Sequence, residues 1–173
     1  SVGYYKSVYV DAVITIFMLI AGMNFSLYYK LIRGNIREVV RDSEMKTYLG
    51  IFFIASTLIA WDLMGKKYTS FGESFRFASF QAASILTTTG FVTNDYMQWS
   101  NFAQVVLFVL FFIGGCAGST GGGIKVIRIV TLFKMSITEM KYLIHPRGIF
   151  GIFVNGQYLK KNIVYDIAAL VFL

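Results

Sequence analysis

The chain has 173 residues and a net charge of +7, with 56% hydrophobic residues and a mean hydropathy of +0.62. Only 14% of its residues are charged, whereas soluble domains average about 25%, so the composition excludes an ordinary water-soluble domain. The basic residues stand between apolar stretches, which favours a membrane surface over nucleic acid as their partner. The single cysteine, Cys116, excludes an intrachain disulfide, and with one histidine it cannot form a metal-ligand cluster.

Apolar stretches predict an all-α, membrane-embedded protein. The first, Val10 to Tyr29, has twenty residues, which span about 30 Å as a helix, the thickness of the hydrocarbon core. Lys30 to Lys46 is charged and predicts a solvated helical loop. A second span is predicted from Tyr48 to Gly65.

The next segment is too short and too polar to cross a bilayer. Phe71 to Leu86 is rich in alanine and serine but carries charged residues, and it predicts a re-entrant half-helix. The motif Thr87-Thr88-Thr89-Gly90-Phe91 follows it directly.

The last third of the chain predicts a broken helix and a linker. Apolar runs from Phe102 to Ile113 and from Ile124 to Phe133 flank a glycine-rich stretch. Lys141 to Lys161 is basic and loop-like, and Ile163 opens a further span. Because the chain begins at Ser1 without a signal peptide and ends inside an apolar run, we expect an internal segment of a longer protein.

The distribution of Lys and Arg predicts the orientation. The loop from Lys30 to Lys46 holds five, the segment from Lys125 to Lys161 holds seven, and none lies between Arg76 and Lys125. By the positive-inside rule the two basic segments face the cytoplasm, so residues 87–91 lie toward the outside. Mere solvation of loops is the alternative explanation of these charges.

The motif at residues 87–91 is a candidate ion-selectivity filter. Backbone without helical hydrogen bonds is tolerated at membrane depth only inside protein or along a water-filled path. Gly90 can adopt backbone angles that let successive carbonyls point one way, and rings of carbonyls can replace the hydration shell of potassium. The half-helix directs the negative end of its dipole at the same cation. An ordinary turn between two helices is the alternative.

The glycine-rich stretch is a candidate gate. Six of its ten residues are glycine, and at roughly 1 kcal/mol each they oppose a continuous helix. A flexible, uncharged loop at this depth could lie in an ion path and close it. Two other interpretations remain: tight helix packing through the small-xxx-small spacing and a phosphate-binding loop, which lacks the GxxxxGK[ST] pattern. Within the stretch, Cys116 is expected to be a small filler rather than a nucleophile, since no histidine lies near it in sequence. The residues concerned are Gly114, Gly115, Cys116, Ala117, Gly118, Ser119, Thr120, Gly121, Gly122 and Gly123.

Two blocks of sequence, residues 84–91 and 114–128, resemble the TrkH/KtrB family of bacterial potassium transporters, and the second resembles Trk-type more than Ktr-type sequences. The resemblance implies four helix–half-helix–helix pore-loop repeats around one pore, as in voltage-gated-like potassium transporters. Residues 1–47 would be the end of repeat two, 48–135 repeat three, and 136–173 the cytoplasmic linker and the start of repeat four.

The resemblance also implies the roles of residues and partners. The filter ligands would be the carbonyls of Thr87, Thr88, Thr89 and Gly90, with potassium bound at Thr88 and Thr89, and the gate would be residues 114–123. The family implies a homodimer in the cytoplasmic (inner) membrane, crossing it several times, with a nucleotide-binding regulatory subunit of the TrkA/KtrA type, potassium as the permeant ion and no cofactor.

The predicted function is gated, passive potassium permeation without enzymatic chemistry. No Ser/His/Asp set, catalytic carboxylate pair or nucleotide fingerprint is present. The main alternative is a membrane-embedded enzyme or energy-coupled permease subunit that holds an anionic group at the glycine-rich stretch, and it predicts cationic side chains converging there. A non-conducting scaffold would tolerate any small residue at Gly90.

Overall fold

The computed structural model describes residues 2–145, 151–154, 157–159 and 166–169. Seven helices and one hairpin follow each other in this part of the chain. Their bounds are α1 Val8–Ala21, α2 Phe25–Ile32, α3 Ile36–Arg41, α4 Ser43–Leu63, α5 Phe71–Leu86, α6 Asn101–Phe112, α7 Val126–Ile144, β1 Ile152–Val154 and β2 Gln157–Leu159, with short 3-10 helices at Val2–Tyr5 and Tyr96–Gln98.

Helix α5 lies at the centre and packs against α1, α4 and α6. Its second half is almost wholly buried, and many of the buried residues are small, which lets the neighbouring helices approach closely. Helix α4 presents residues at helical spacing, including Tyr48, Phe52, Ile59 and Leu63, to the same core. Helix α5 has the bounds that the sequence predicts for the half-helix, because Ser70 caps its start through the amide of Glu73 at 3.2 Å.

The predicted single span from Val10 to Tyr29 is wrong. The structure has two helices, α1 and α2, which meet at 95°. Gly22 ends α1, and the side chain of Asn24 accepts from the amide of Ser26 at 2.9 Å and caps α2. A glycine at a helix end followed by an Asn cap is a stop-and-restart signal that the apolar composition concealed.

The expectation of an all-α chain needs a second correction. Strands β1 and β2 form an antiparallel hairpin within the segment predicted to be loop. Its sequence signals are the β-branched and aromatic residues of β1 and the Asn155-Gly156 pair that follows it. Helix α7 also continues beyond the predicted end at Phe133 to Ile144, and Pro146 follows shortly after in the sequence.

The two non-helical connections at one end of α4 are tied together. Asp62 of α4 pairs with Lys66 and accepts a hydrogen bond from Ser100, at the start of α6. The side-chain amide of Asn94 donates to the Tyr68 hydroxyl at 2.5 Å, and burial raises the pKa of this phenol, so it stays protonated. Trp99, in the same region, is only 4% exposed, which is too buried for the interfacial anchor that its residue type suggests.

Among the described residues, one helix, α4, is by itself long and apolar enough to cross a bilayer. Helices α1 and α2 meet the same criterion only as a bent pair, and α6 is apolar but shorter. Of the further span predicted from Ile163 to Leu173, only residues 166–169 are described, and they are helical; the rest lies outside the described residues.

Candidate filter segment and glycine loop

Residues 87–90 leave the end of α5 with their amides turned back toward the helix. The amides of residues 88–90 donate to the carbonyls of Ile85 and Ser84 over 3.0, 2.9 and 3.4 Å. The N–H and C=O of a trans peptide point in opposite directions, and the described residues contain no cis peptide. The carbonyls of residues 87–89 therefore point away from α5, and three of the four predicted ligand carbonyls share this direction.

Two residues of this segment have left-handed backbone conformations. Gly90 has φ +79°, and no other atom would crowd a side chain there, so its backbone angle alone favours glycine. Thr88 has φ +56°, which is unfavourable for a β-branched residue. Residues 88–90 are exposed, whereas Thr87 is buried. The Ser84 hydroxyl donates to the carbonyl of Phe91 at 2.6 Å and fixes the exit of the segment.

The glycine loop, residues 114–123, forms a closed excursion between α6 and α7. Ile113 and Ile124 pair as an isolated bridge, and the amide of Gly114 donates to the carbonyl of Ile124 at 2.6 Å. A Cβ at Gly114 would lie 3.0 Å from the backbone of Gly123 and of Ile124, so a larger residue cannot fit without moving the chain. The glycines thus permit a close approach of two backbone segments, and the interpretation of this stretch as an unbroken packed helix is wrong.

The glycine loop docks on the break between α1 and α2. The amide of Cys116 donates to the carbonyl of Gly22 at 2.9 Å, and the hydroxyl of Thr120 donates to the carbonyl of Ala21 at 3.2 Å. In return, the first amide of α2 donates to the carbonyl of Gly118 at 3.3 Å. The 95° break therefore supplies the surface on which the loop lies.

The candidate filter and the glycine loop touch directly. The amide of Gly122 donates to the Thr88 hydroxyl at 2.8 Å, and a Cβ at Gly121 would lie 3.3 Å from the carbonyl oxygen of Thr87. The structure thus brings the two predicted sites into contact through residues that lie 34 positions apart in sequence. This contact also supports the unusual backbone of Thr88.

Sequence reasoning missed the side chain that joins the loop to α4. One oxygen of Glu44 accepts from the amide of Ala117 at 2.6 Å and from the amide of Ile127 at 3.2 Å. Glu44 is only 4% exposed. It lies 73 and 83 residues from these partners, so no local pattern could reveal the contact.

Six of the ten loop amides donate to protein acceptors. Beyond the contacts already given, the amide of Ser119 donates to the carbonyl of Cys116 at 3.2 Å, and the ammonium of Lys125 donates to the carbonyl of Gly121 at 2.5 Å. A phosphate-binding loop would instead direct its amides at the ligand. Cys116 is fully buried, as a small filler would be, and the described residues contain no metal-binding group of His, Cys, Asp or Glu.

Comparison with known proteins identifies relatives over most of the chain. Residues 51–173 match the family model TrkH, described as a cation transport protein. The Trk system potassium uptake protein TrkH of Escherichia coli (strain K12) is 39% identical over 168 residues, and the match covers 95% of the chain and 34% of that protein. TrkG of the same organism, also a Trk system potassium uptake protein, is 35% identical over 100% of the chain and 36% of its own length.

A solved structure agrees with the fold. The crystal structure of the potassium transporter TrkH from Vibrio parahaemolyticus matches 98% of the chain with a TM-score of 0.89 and 36% identity, and the match covers 37% of that protein. The chain therefore spans about a third of the length of these relatives. All of them are transport proteins rather than enzymes.

Proposed function

The chain belongs to the TrkH family of cation transport proteins, and on this premise we propose that its parent protein takes up potassium through a gated pore in the cytoplasmic membrane. In this proposal, residues 87–90 supply one segment of the selectivity filter and the glycine loop is the gate. Potassium is the cargo, no cofactor takes part, and no bond is made or broken.

One observation carries the proposal: the carbonyls of residues 87–89 point away from α5, and the segment that carries them contacts the glycine loop through the Thr87 carbonyl and the Thr88 hydroxyl. Aligned carbonyls at the C-terminal end of a half-helix attract a cation and can replace its water ligands. The bond from Gly122 to Thr88 brings the loop to the filter segment. An ion would lose its water at the carbonyls and could pass further only when the loop moves.

The repeat assignment is part of the same proposal. Residues 1–47 are the end of repeat two, residues 48–135 are repeat three, and residues 136–173 are the linker and the start of repeat four. Within repeat two, residues 1–5 are assigned to the tail of the second filter segment. The amide of Gly3 donates to the carbonyl of Val92 at 3.4 Å, and this contact with the exit of the third filter segment supports that assignment. One filter segment cannot close a ring, so conduction belongs to the whole protein.

The membrane topology and the partners complete the proposal. The chain crosses the membrane several times, with the basic segments that contain α3 and the end of α7 in the cytoplasm. Family resemblance supports a homodimer and a cytoplasmic nucleotide-binding regulatory subunit of the TrkA/KtrA type.

The alternative of an anion-binding enzyme or permease subunit has less support. It requires free amides or cationic side chains at the loop. The amides described above are bonded to protein acceptors, the nearest ammonium, that of Lys125, is bonded to a loop carbonyl, and the buried charge against the loop is the carboxylate of Glu44, which would repel an anion.

Growth at low potassium tests the proposal. The full-length parent protein, with its regulatory subunit, is expressed in bacteria that lack their own potassium uptake systems. We expect growth at potassium concentrations that do not support the parental strain, together with uptake of potassium measured by flame photometry. Protein that is present in the membrane but moves no potassium would contradict the proposal.

A further inference from the structure

The carboxylate of Glu44 is buried where the first turn of α4 meets the glycine loop. It bonds the amide of Ala117 inside the loop and the amide of Ile127 in the first turn of α7. Among the described residues no Lys, Arg or His nitrogen lies within 4.0 Å of it; Asp42 and Lys125 are its charged neighbours.

A buried carboxylate without a close cation is costly unless its hydrogen bonds are strong. Bonds from amides to an ionised carboxylate are about twice as strong as bonds between neutral groups. The amide of Ile127 lies in the first turn of α7, where backbone amides lack helical acceptors and the helix dipole favours negative charge. The position therefore suits a carboxylate, and its two bonds act on two different elements.

The other contacts of the glycine loop differ in kind. The loop bonds the α1–α2 break through Cys116 and Thr120 and bonds the filter segment through Gly122, and each acceptor there is a neutral carbonyl or hydroxyl oxygen. Glu44 supplies the charged acceptor among the loop contacts, whereas the ammonium of Lys125, which bonds the carbonyl of Gly121, is a charged donor. The Glu44 side chain also links two segments, the glycine loop and the start of α7, to helix α4.

We propose that Glu44 is a positioning residue that holds the glycine loop closed against the filter segment by bonding Ala117 and Ile127 at once. The inference rests on the proposed function. Loss of the carboxylate frees the loop and the start of α7 together, so the closed state is weakened while the residues of the filter segment are untouched.

Three substitutions of Glu44 distinguish a role in hydrogen bonding the two amides from a purely electrostatic role of the carboxylate. Glu44→Gln keeps an acceptor oxygen at the same reach and loses the charge. Glu44→Asp keeps the charge but is shorter by one methylene, so it cannot reach both amides from α4. Glu44→Ala loses both. Glu38→Ala is the matched control, because Glu38 is an exposed acid on α3 that pairs with Lys30 at 3.2 Å and lies outside the loop contacts.

The experiment measures potassium flux through the full-length protein in liposomes without its regulatory subunit. We expect Glu44→Ala and Glu44→Asp to raise the flux about tenfold, a shift equivalent to about 1.4 kcal/mol. Glu44→Gln keeps the acceptor but forms weaker, neutral bonds, so its flux should lie between those of wild type and Glu44→Ala, and Glu38→Ala should match wild type. Equal flux in wild type and all Glu44 variants overturns the inference, as does a change in Glu44→Gln with none in Glu44→Asp, which assigns an electrostatic role.

A second measurement tests the inference even if one of the Glu44 variants does not fold. Amide hydrogen exchange in the full-length wild type should show protection in peptides covering residues 114–127, and Glu44→Gln should retain most of it. Rapid exchange of these peptides in wild type overturns the inference even if Glu44→Ala cannot be purified. If wild type moves no potassium even with its regulatory subunit present, the proposed function itself fails and the inference falls with it; if wild type conducts and only the Glu44 pattern is absent, the proposed function stands alone.

Discussion

Thr88 is the residue at which the filter segment and the glycine loop depend on each other. Its φ of +56° costs a β-branched side chain on the order of 1–3 kcal/mol. The bond from the amide of Gly122 to its hydroxyl, 2.8 Å long, offsets part of that cost. The Thr88 side chain thus stabilises the unusual backbone conformation of Thr88 by bonding to the glycine loop.

Substitution of Thr88 by Val should weaken this contact. The change keeps the shape of the side chain but removes the acceptor of the Gly122 amide; because the bond is exposed, the cost is that of a typical hydrogen bond, about 0.5–1.5 kcal/mol. We expect a lower thermal stability of the solubilised full-length protein and faster hydrogen exchange in the glycine loop. Thr88→Ser retains the hydroxyl and is the control; if both variants melt and exchange like wild type, the bond does not hold the loop.

The site was predictable from sequence only in part, for a physical reason. Gly90 and the glycine loop can be recognised in the sequence, because glycine is typical of positive φ and of close approach between backbone segments. Thr88 carries no such signal, since threonine rarely adopts positive φ. Glu44 was assigned to a charged, solvated loop, because its partners lie far along the chain and burial depends on tertiary packing.

At the scale of helices, the break between α1 and α2 determines where the glycine loop lies. The loop bonds the carbonyls of Ala21 and Gly22, which are available because α1 ends there and leaves its last carbonyls without helical donors. The break is fixed from the other side by Asn24, the cap of α2.

Removal of that cap should loosen the loop. Asn24→Ala leaves the amide of Ser26 unpaired, and loss of an Asn cap costs about 1 kcal/mol. We expect a reduced melting temperature of the full-length protein and faster hydrogen exchange in α2 and in residues 114–123. Asn24→Asp keeps the acceptor oxygen and should behave like wild type. If hydrogen exchange in residues 114–123 is unchanged in Asn24→Ala, the break between α1 and α2 does not hold the glycine loop in place.

The elements themselves were predicted unevenly. The half-helix, α5, has the predicted bounds because Ser70 and the motif at residues 87–90 mark both ends. The break in the first span escaped prediction because apolar composition reports depth in the membrane and not helix continuity. The hairpin β1–β2 escaped because basic residues around it suggested a loop, although its Asn-Gly pair and β-branched residues favour a turn between strands.

In the molecule as a whole, the two ends of helix α4 make different contacts. At one end Glu44 bonds the glycine loop; at the other Asp62 bonds Ser100, near the exit of the filter segment. The basic residues 30–41 directly precede the first end in the chain, and the positive-inside rule predicts the cytoplasmic side for them.

We propose above that residues 87–90 select potassium. To test this, the full-length protein is reconstituted in liposomes, and the permeability ratio of potassium to sodium is measured for wild type and for Gly90→Ser. A side chain at φ +79° costs roughly 1–2 kcal/mol, enough to shift the carbonyls, and we expect the ratio to fall about tenfold. Gly34→Ser is the matched control, because Gly34 has φ +83° and nothing within 4 Å but lies between α2 and α3. A ratio that falls in Gly90→Ser alone supports the filter assignment. An unchanged ratio in Gly90→Ser, or an equal fall in Gly34→Ser, would contradict it.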